Sequence, residues 1–540
     1  MGSIIRFLGN PGSRPSVSQR APIAGSLTEV EIPTKKAEDG GLTILDNSSD
    51  EISESEMGHV DVREEGAILT THGFTGLQKD FGDRVLDKLV MFAGTQFIFF
   101  IMWAIIIVWI VLGIVYKAPD NWQVVMQDGQ SLQSYFWDTL LMRQQLTSAH
   151  DHTNVCAVLR SRIRTFKKFG LSPAAQLARE KSQEDVQATS YEVQGALKDG
   201  KGELVVESWY DRLSTLASKL IGSLPAILIF WGGIFAWVGC GALPLATGNN
   251  PPFSSSNPEY KKFSDLWQLC INTATAVPLL ICTMFLQNIR ARHEKYITKL
   301  LAAVFDIDTE IEEHLRTVNG DFTTPNEIVT IPARDRSVFE KVIDVYADII
   351  GTGVGLVIAI GAIAAWLAIG NVMSWSSNWW LIIGTYTGLI GFLDGSVLRQ
   401  VYFRIVNQEE ENYALMAQED ADLFEALGLH CPDELFVDHK KAKSSFSLKI
   451  SNAINRACSS QLCVLASIST IIGLIIVASA LRWSTTGQLI CNTPTMIIEE
   501  FFLIVLIQAH NWADKRRRID VSTLYARRCL LRSHLKGANN

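Results

Sequence analysis

Charge is scarce in this chain. Asp, Glu, Lys and Arg make up 19% of the 540 residues, where a soluble domain carries about 25%. That shortage argues against an ordinary water-soluble fold. Several motifs are missing as well. There is no Walker A loop, no H-E-x-x-H and no nucleophile elbow, so nucleotide hydrolysis, zinc proteolysis and acyl transfer have no visible machinery. The nine cysteines are an odd count without zinc-type pairing. Buried free thiols are expected in place of a disulfide framework. None of the ten histidines lies well inside an apolar run. Residues 1–80 hold no apolar core of a cleavable leader, and the start Met1-Gly2-Ser3-Ile4-Ile5-Arg6 lacks the Ser or Thr of a myristoylation site. Neither modification is expected, nor is a prosthetic cofactor or a nucleic-acid partner.

What the chain does have is long apolar runs. Leu89–Tyr116, Leu216–Leu243, Ile349–Gly370 and Leu462–Leu481 each reach the roughly 20 residues a helix needs to cross a bilayer. A short pattern precedes each run: an acid or amide, a base, nine positions, then Gly or Ala before Thr or Ser. Its copies are Asp83-Arg84 with Gly94-Thr95, Asp211-Arg212 with Gly222-Ser223, Glu340-Lys341 with Gly351-Thr352, and Asn455-Arg456 with Ala466-Ser467. A more polar membrane-length segment follows each run. Repetition at fixed spacing decides architecture. The expected fold is an all-α integral membrane protein of about eight transmembrane helices, arranged as four parallel two-helix repeats with long helical cytoplasmic loops.

The units read as 81–170, 206–318, 335–430 and 449–540, joined by linkers 171–205, 319–334 and 431–448. Residues 29–65 carry 12 Asp and Glu and no aromatic residue, so 1–80 reads as a disordered acidic tail. Lys117, Lys261, Lys262 and Arg482 are the few bases after the first spans. Most of the rest follow the second spans, including Lys515–Arg518. Positive charge stays inside, so both termini are expected in the cytoplasm. The sequon Asn47-Ser48-Ser49 then never meets the glycosylation enzyme.

The second segments carry the chemistry. Trp122-Gln123 aligns with Trp267-Gln268, with Trp380 and with Gly487-Gln488. Five residues on stand Gln127, Asn272, Thr385 and Asn492. Helical spacing gathers Gln127, Gln130, Ser131, Ser134 and Asp138 on one face, then Asn272, Thr275, Thr283 and Gln287, then Asn492, Thr495 and Glu499. Asp138, Asp394, Glu499 and Glu500 fall within about one turn of the same depth, and Asp128 sits nearer the outside. An Asp at a membrane centre costs roughly 2.5–3.5 kcal/mol, so such groups mark interior faces or ion paths. Carboxylates and amides together suit a divalent cation. Without imidazole or thiolate, the site would be weak. The metal candidates are therefore Gln127, Asp128, Asp138, Asn272, Asp394, Asn492, Glu499 and Glu500. The bland alternative is packing, with an Asp bonded to Arg143 or Arg399.

Two other features read structurally. His150-Asp151-His152 with Cys156 is taken as a solvated helix extension in preference to a metal-receiving cluster. Gly351-Thr352-Gly353-Val354-Gly355 is taken as close helix packing in preference to a nucleotide loop.

The run Asn121-Trp122-Gln123-Val124-Val125-Met126-Gln127-Asp128-Gly129-Gln130-Ser131, with Trp137-Asp138-Thr139-Leu140-Leu141-Met142-Arg143-Gln144-Gln145, resembles the fungal low-affinity iron(II) permease family. So do Phe7-Leu8-Gly9-Asn10-Pro11-Gly12 and Gly73-Phe74-Thr75-Gly76-Leu77. A motif of short bacterial members carries over to Trp267, Gln268, Asn272, Thr273, Thr275 and Gln287, and partly to Gln488, Asn492, Thr493 and Thr495. The third unit departs from it at Thr385 and Tyr386. The resemblance implies a multi-pass plasma-membrane transporter of iron(II) that also accepts copper, zinc and other divalent metals, such as manganese and cobalt. It supplies no metal ligands. Partners are then divalent metal ions as cargo and the lipid bilayer, and wide lipid-facing aromatic surfaces leave room for a homodimer. The competing class is a membrane receptor or scaffold whose cytoplasmic helices bind a partner.

Overall fold

The computed structural model describes residues 11–24, 60–62, 68–70, 74, 81–117, 120–182, 202–243, 257, 261–436 and 446–536. The acidic stretch 29–59 and the sequon at Asn47 lie outside them.

Helix dominates. Four times along the chain, a short amphipathic helix leads into an apolar helix and then a very long one. The short helices are α1 (Phe81–Ala93), α5 (Trp209–Ile221), α8 (Val338–Gly351) and α11 (Phe446–Cys458). The apolar ones are α2 (Gln96–Tyr116), α6 (Leu224–Cys240), α9 (Gly353–Ile369) and α12 (Gln461–Ala480). The long ones are α3 (Asp120–Gly170), α7 (Asp265–Asn319), α10 (Ser377–Ala426) and α13 (Thr485–Lys536). A further helix, α4 (Pro173–Ser182), follows α3.

Five described helices are long and apolar enough to cross a membrane: α2, α7, α10, α12 and α13. The pairs α5–α6 and α8–α9, each bent by 66°, bring the number to seven. The polar α3 does not meet the criterion. Layering follows from polarity. Only 17% of the most apolar stretch is buried in α2 and α12, against 61%, 67% and 78% in α7, α10 and α13. The most apolar helices therefore lie outside, and the long polar-striped helices form the core. Exposed Phe100, Ile105, Leu228, Ile229, Val357 and Ile476 suit a lipid boundary.

The short pattern now has a physical cause. Ser208 with Asp211 and Ser337 with Glu340 form capping boxes that start α5 and α8. The Gly-Thr or Gly-Ser end marks the elbow, where Thr95, Ser223 and Thr352 are the N-caps of the apolar helices. The fourth copy was misplaced by two turns. Ala466 and Ser467 lie inside α12, whose N-cap is Ser460, accepting from the Cys463 N–H. Its elbow is Ser459-Ser460, and Asn455-Arg456 belongs to the end of α11. The Gly351 elbow packs as expected: a Cβ at Gly351 would lie 3.2 Å from Leu146.

Indole pairs fix the other end of three of the four apolar helices, α2, α6 and α9. Trp109 stacks on Trp122 at 3.9 Å, Trp237 on Trp267 at 3.7 Å and Trp366 on Trp379 at 4.4 Å. In the first and third pairs each indole N–H donates to the other residue's carbonyl. The third long helix is thus registered on Trp379, one residue earlier than Trp380.

The long helices run on as a second bundle past the membrane-length part. Its interior combines apolar clusters around Phe166, Ile311 and Leu524 with buried ion pairs: Arg528 meets Asp308 at 2.8 Å and Asp420 at 2.5 Å, and Arg316 meets Glu312 at 2.8 Å. Breaking such pairs one-sidedly is costly. His152 and Cys156 are buried here, which corrects the reading of that segment as a solvated extension; the bundle encloses it. All nine cysteines are free thiols, although Cys240 and Cys270 are exposed.

The expectation of a disordered 1–80 fails for its first part. Residues Val17–Gln19 form β1, paired antiparallel with β4 (Val329–Ile331). Gly12 and Arg14 donate to the buried Asp348 carboxylate. Segments Val60–Val62 and Ile68–Thr70 form a second two-stranded pair, β2–β3. The acids that suggested disorder cluster later, while Ala21 joins an apolar cluster and Ala24 is buried.

Candidate metal pathway

Registered on Trp122, Trp267, Trp379 and Gly487, the long helices present one face each to a shared axis. α3 contributes Gln127, Ser134 and Asp138; α7 contributes Asn272, Leu279 and Thr283; α13 contributes Asn492, Glu499 and Leu503. α10 contributes Gly384, Gly388, Gly391 and Gly395. The glycines make room for their neighbours' polar ends. A Cβ at Gly384 would lie 3.1 Å from Asp128 Oδ1, one at Gly388 2.6 Å from Asn492 Oδ1, and one at Gly391 2.9 Å from Glu499 Oε2. None of the four is among the site candidates read from the sequence. The signal was present, because the spacing i, i+4, i+7, i+11 is that of the polar stripes.

The outer layer consists of Gln127, Asp128, Asn272 and Asn492, all buried. Gln127 donates to the Leu269 carbonyl and to Thr273. Its Oε1, Asp128 Oδ2, Asn492 Oδ1 and both polar atoms of the Asn272 amide have no hydrogen-bond partner. Buried polar atoms without partners are rare and call for water or an ion.

About 16 Å deeper along the helices, a cavity of about 30 Å³ is lined by all four. Its wall includes Ser134, Asp138, Thr283, Gly395, Arg399 and Glu499. Asp138 and Glu499 are thus brought together. Asp394 and Glu500 are not in this wall. Asp394 accepts a 2.5 Å bond from Tyr346 of α8 and keeps Oδ2 unpartnered. Glu500 lies on the adjoining face toward Cys282. One residue of helix is 100° of rotation, which equal depth alone cannot reveal. Among the described residues, no group of three His, Cys, Asp or Glu is gathered tightly enough to hold a metal.

Neither Arg143 nor Arg399 pairs with one of the candidate acids, as the packing alternative required. Arg143 pairs with Asp83 at 3.1 Å and Asp87 at 2.8 Å, on α1. Arg399 donates to Asn455 and Ser459 at the α11 end. Leu141, Leu398 and Leu506, about one turn further along their helices, also line this cavity. A smaller cavity follows among Gln145, Arg290, His293, Glu294, Asp514 and Arg517, again from three or more long helices. Here His510 lies 3.2 Å from Asp514. Burial, opposed by Asp514, pushes His293 down to about 3.

These features define a multi-pass membrane protein with a polar axis between four long helices. The family model described as low affinity iron permease matches residues 339–400 and 447–539. The low-affinity Fe(2+) transport protein of Saccharomyces cerevisiae is 53% identical over 544 residues, covering 99% of this chain and 98% of that protein. The low-affinity iron/zinc ion transport protein of Schizosaccharomyces pombe is 44% identical over 463 residues, 85% of this chain and 74% of that one. No solved structure matches. The chain belongs to the low-affinity iron permease family.

Proposed function

We propose that this protein carries iron(II), and with less discrimination zinc, copper, manganese and cobalt, across the plasma membrane into the cytoplasm. One observation carries the reading: unpartnered buried oxygens from α3 and α13, with the Asn272 amide of α7, line one axis that leads to the Asp138–Glu499 cavity. The names of the two relatives, which speak of iron and of iron and zinc, agree with it.

The path follows from the donors. A hydrated divalent ion meets Gln127, Asp128, Asn272 and Asn492 and exchanges part of its water for amide and carboxylate oxygens. It then rests between Asp138 and Glu499, with Asp394 and Glu500 adding negative charge from neighbouring faces. All-oxygen sites hold iron(II) and zinc weakly, which suits low affinity and fast release. The ion leaves past Leu141, Leu398 and Leu506 toward the His293–Asp514 layer. An inside-negative potential supplies about 2.3 kcal/mol per charge per 100 mV, roughly twice that for a divalent ion. On this reading α3 is an eighth span, sheltered from lipid by its neighbours. The four helix sets form a pseudo-fourfold ring, and both termini are cytoplasmic.

The test is flux. Purified protein in proteoliposomes should admit radioactive iron(II) at a rate that rises with an imposed inside-negative potential and falls when zinc competes. Correctly folded protein that admits no divalent metal would overturn the reading.

A further inference from the structure

Another cavity lies off the axis. It holds about 120 Å³ and lies between the β1–β4 pair, the entry to α8, and the parts of α3 and α10 just beyond the polar stripe. Its wall carries Arg14, Arg334, Arg336, Arg404 and His150, with Asp344 as the sole acid in the lining. Arg336 and Arg404 share Asp344, at 2.7 and 2.5 Å, and Arg14 is held by Asp348. Four guanidiniums thus face two carboxylates, and two positive charges are left over. The carboxylates fix three of the four forks in place. Arg404 Nε is buried without a partner, and Arg334 is exposed at the rim. The remaining wall is mostly apolar, with Val17, Phe74, Leu146, Ile331, Val401 and Ile405, and only Thr153 and Gln408 are polar.

Such a lining repels a metal cation and suits a multiply charged oxyanion. Guanidinium forks match phosphate oxygens, and apolar walls strengthen the attraction by excluding water. The geometry points to a binding site for a phosphate-bearing anion, a phosphorylated headgroup or sugar, whose occupancy ties the N-terminal segment to the start of α8 and the long helices. The pocket stands apart from the metal path. Only the expectation that it faces the inner leaflet rests on the topology proposed above, and basic pockets at that level are where anionic headgroups bind.

The test uses the full-length protein in phosphatidylcholine nanodiscs, with thermal unfolding as the readout, which is independent of metal flux. Inorganic phosphate and inositol trisphosphate are added in solution. In parallel, discs are made with phosphatidylinositol bisphosphate. A saturable rise in Tm is expected. Arg334→Glu, at an exposed residue that folding does not need, should shift half-saturation at least about tenfold. Arg334→Gln with Arg404→Gln should do the same. Arg212→Glu, an exposed residue elsewhere, should leave it unchanged. Stabilisation by the soluble compounds assigns the site to a free phosphate ester; stabilisation by the lipid discs alone assigns it to a headgroup. No saturable shift with any probe, or equal loss in Arg334→Glu and Arg212→Glu, would overturn the proposal.

Discussion

Glu499 packs against the bare backbone of Gly391, so closely that a Cβ at residue 391 would meet its carboxylate carbon at 3.1 Å. Glu499 therefore depends on a glycine one helix away for its place on the axis. Gly391→Ala should displace the carboxylate and lower iron uptake several-fold, with surface expression unchanged. Gly361 on α9 has open space around it, so Gly361→Ala should leave uptake as it was. Equal effects of the two would mean that the close approach is incidental.

The indole pairs make a stability prediction. Trp379 is 2% exposed and Trp366 9%. Trp379→Ala should cost about 3–5 kcal/mol, as large core truncations do, and lower the Tm of the purified protein. Trp379→Phe keeps the stack and loses one hydrogen bond, worth about 1 kcal/mol. A larger loss for Phe than for Ala would contradict the stacking account.

The N-terminal strap should be needed for folding. Asp348 is wholly buried and accepts bonds from Gly12 and Arg14. Arg14→Ala leaves that carboxylate unpaired, at a cost of about 3–5 kcal/mol. Adding Asp348→Asn should recover most of the loss in Tm. No recovery in the double variant would show that Arg14 acts through something other than this pair.

Acid should destabilise the extramembrane bundle. Burial, reinforced by Arg517, pulls His152 down to about 4, and burial brings His293 to about 3. In the unfolded chain both protonate near 6.5. Each is thus neutral when folded and takes up a proton on unfolding below that pH. Their contribution is intact above about 6.5 and falls as pH drops toward 4, by roughly 2 kcal/mol each at pH 5. Tm should fall between pH 7 and 5, and His152→Gln should flatten the fall. A Tm that holds level in the wild type would contradict this.

Much of this was legible in the chain because bilayers force a simple grammar: apolar runs outside, polar stripes inside. Gln127, Asn272, Asn492, Asp138 and Glu499 were placed on inward faces by helical spacing alone. What failed has identifiable causes. The doublet Trp379-Trp380 offers two registers, and only the stack on Trp366 chooses between them. Ala466-Ser467 imitates an elbow that Ser459-Ser460 provides, because both are small residues beside an apolar run. Asp394 and Glu500 share the depth of the cavity and miss its wall by one residue of helical rotation. The burial of His152 depends on the long helices remaining bundled beyond the membrane part, which local polarity does not reveal.

The central claim is that a divalent ion crosses between Asp138 and Glu499. The most direct measurement is the initial rate of radioactive iron(II) entry into proteoliposomes under an inside-negative potential, with Asp138→Asn and Glu499→Gln combined in one chain. Both substitutions keep shape and remove charge. With Tm and orientation unchanged, the account predicts a rate at least about tenfold lower. A rate equal to wild type would contradict it and place the path elsewhere.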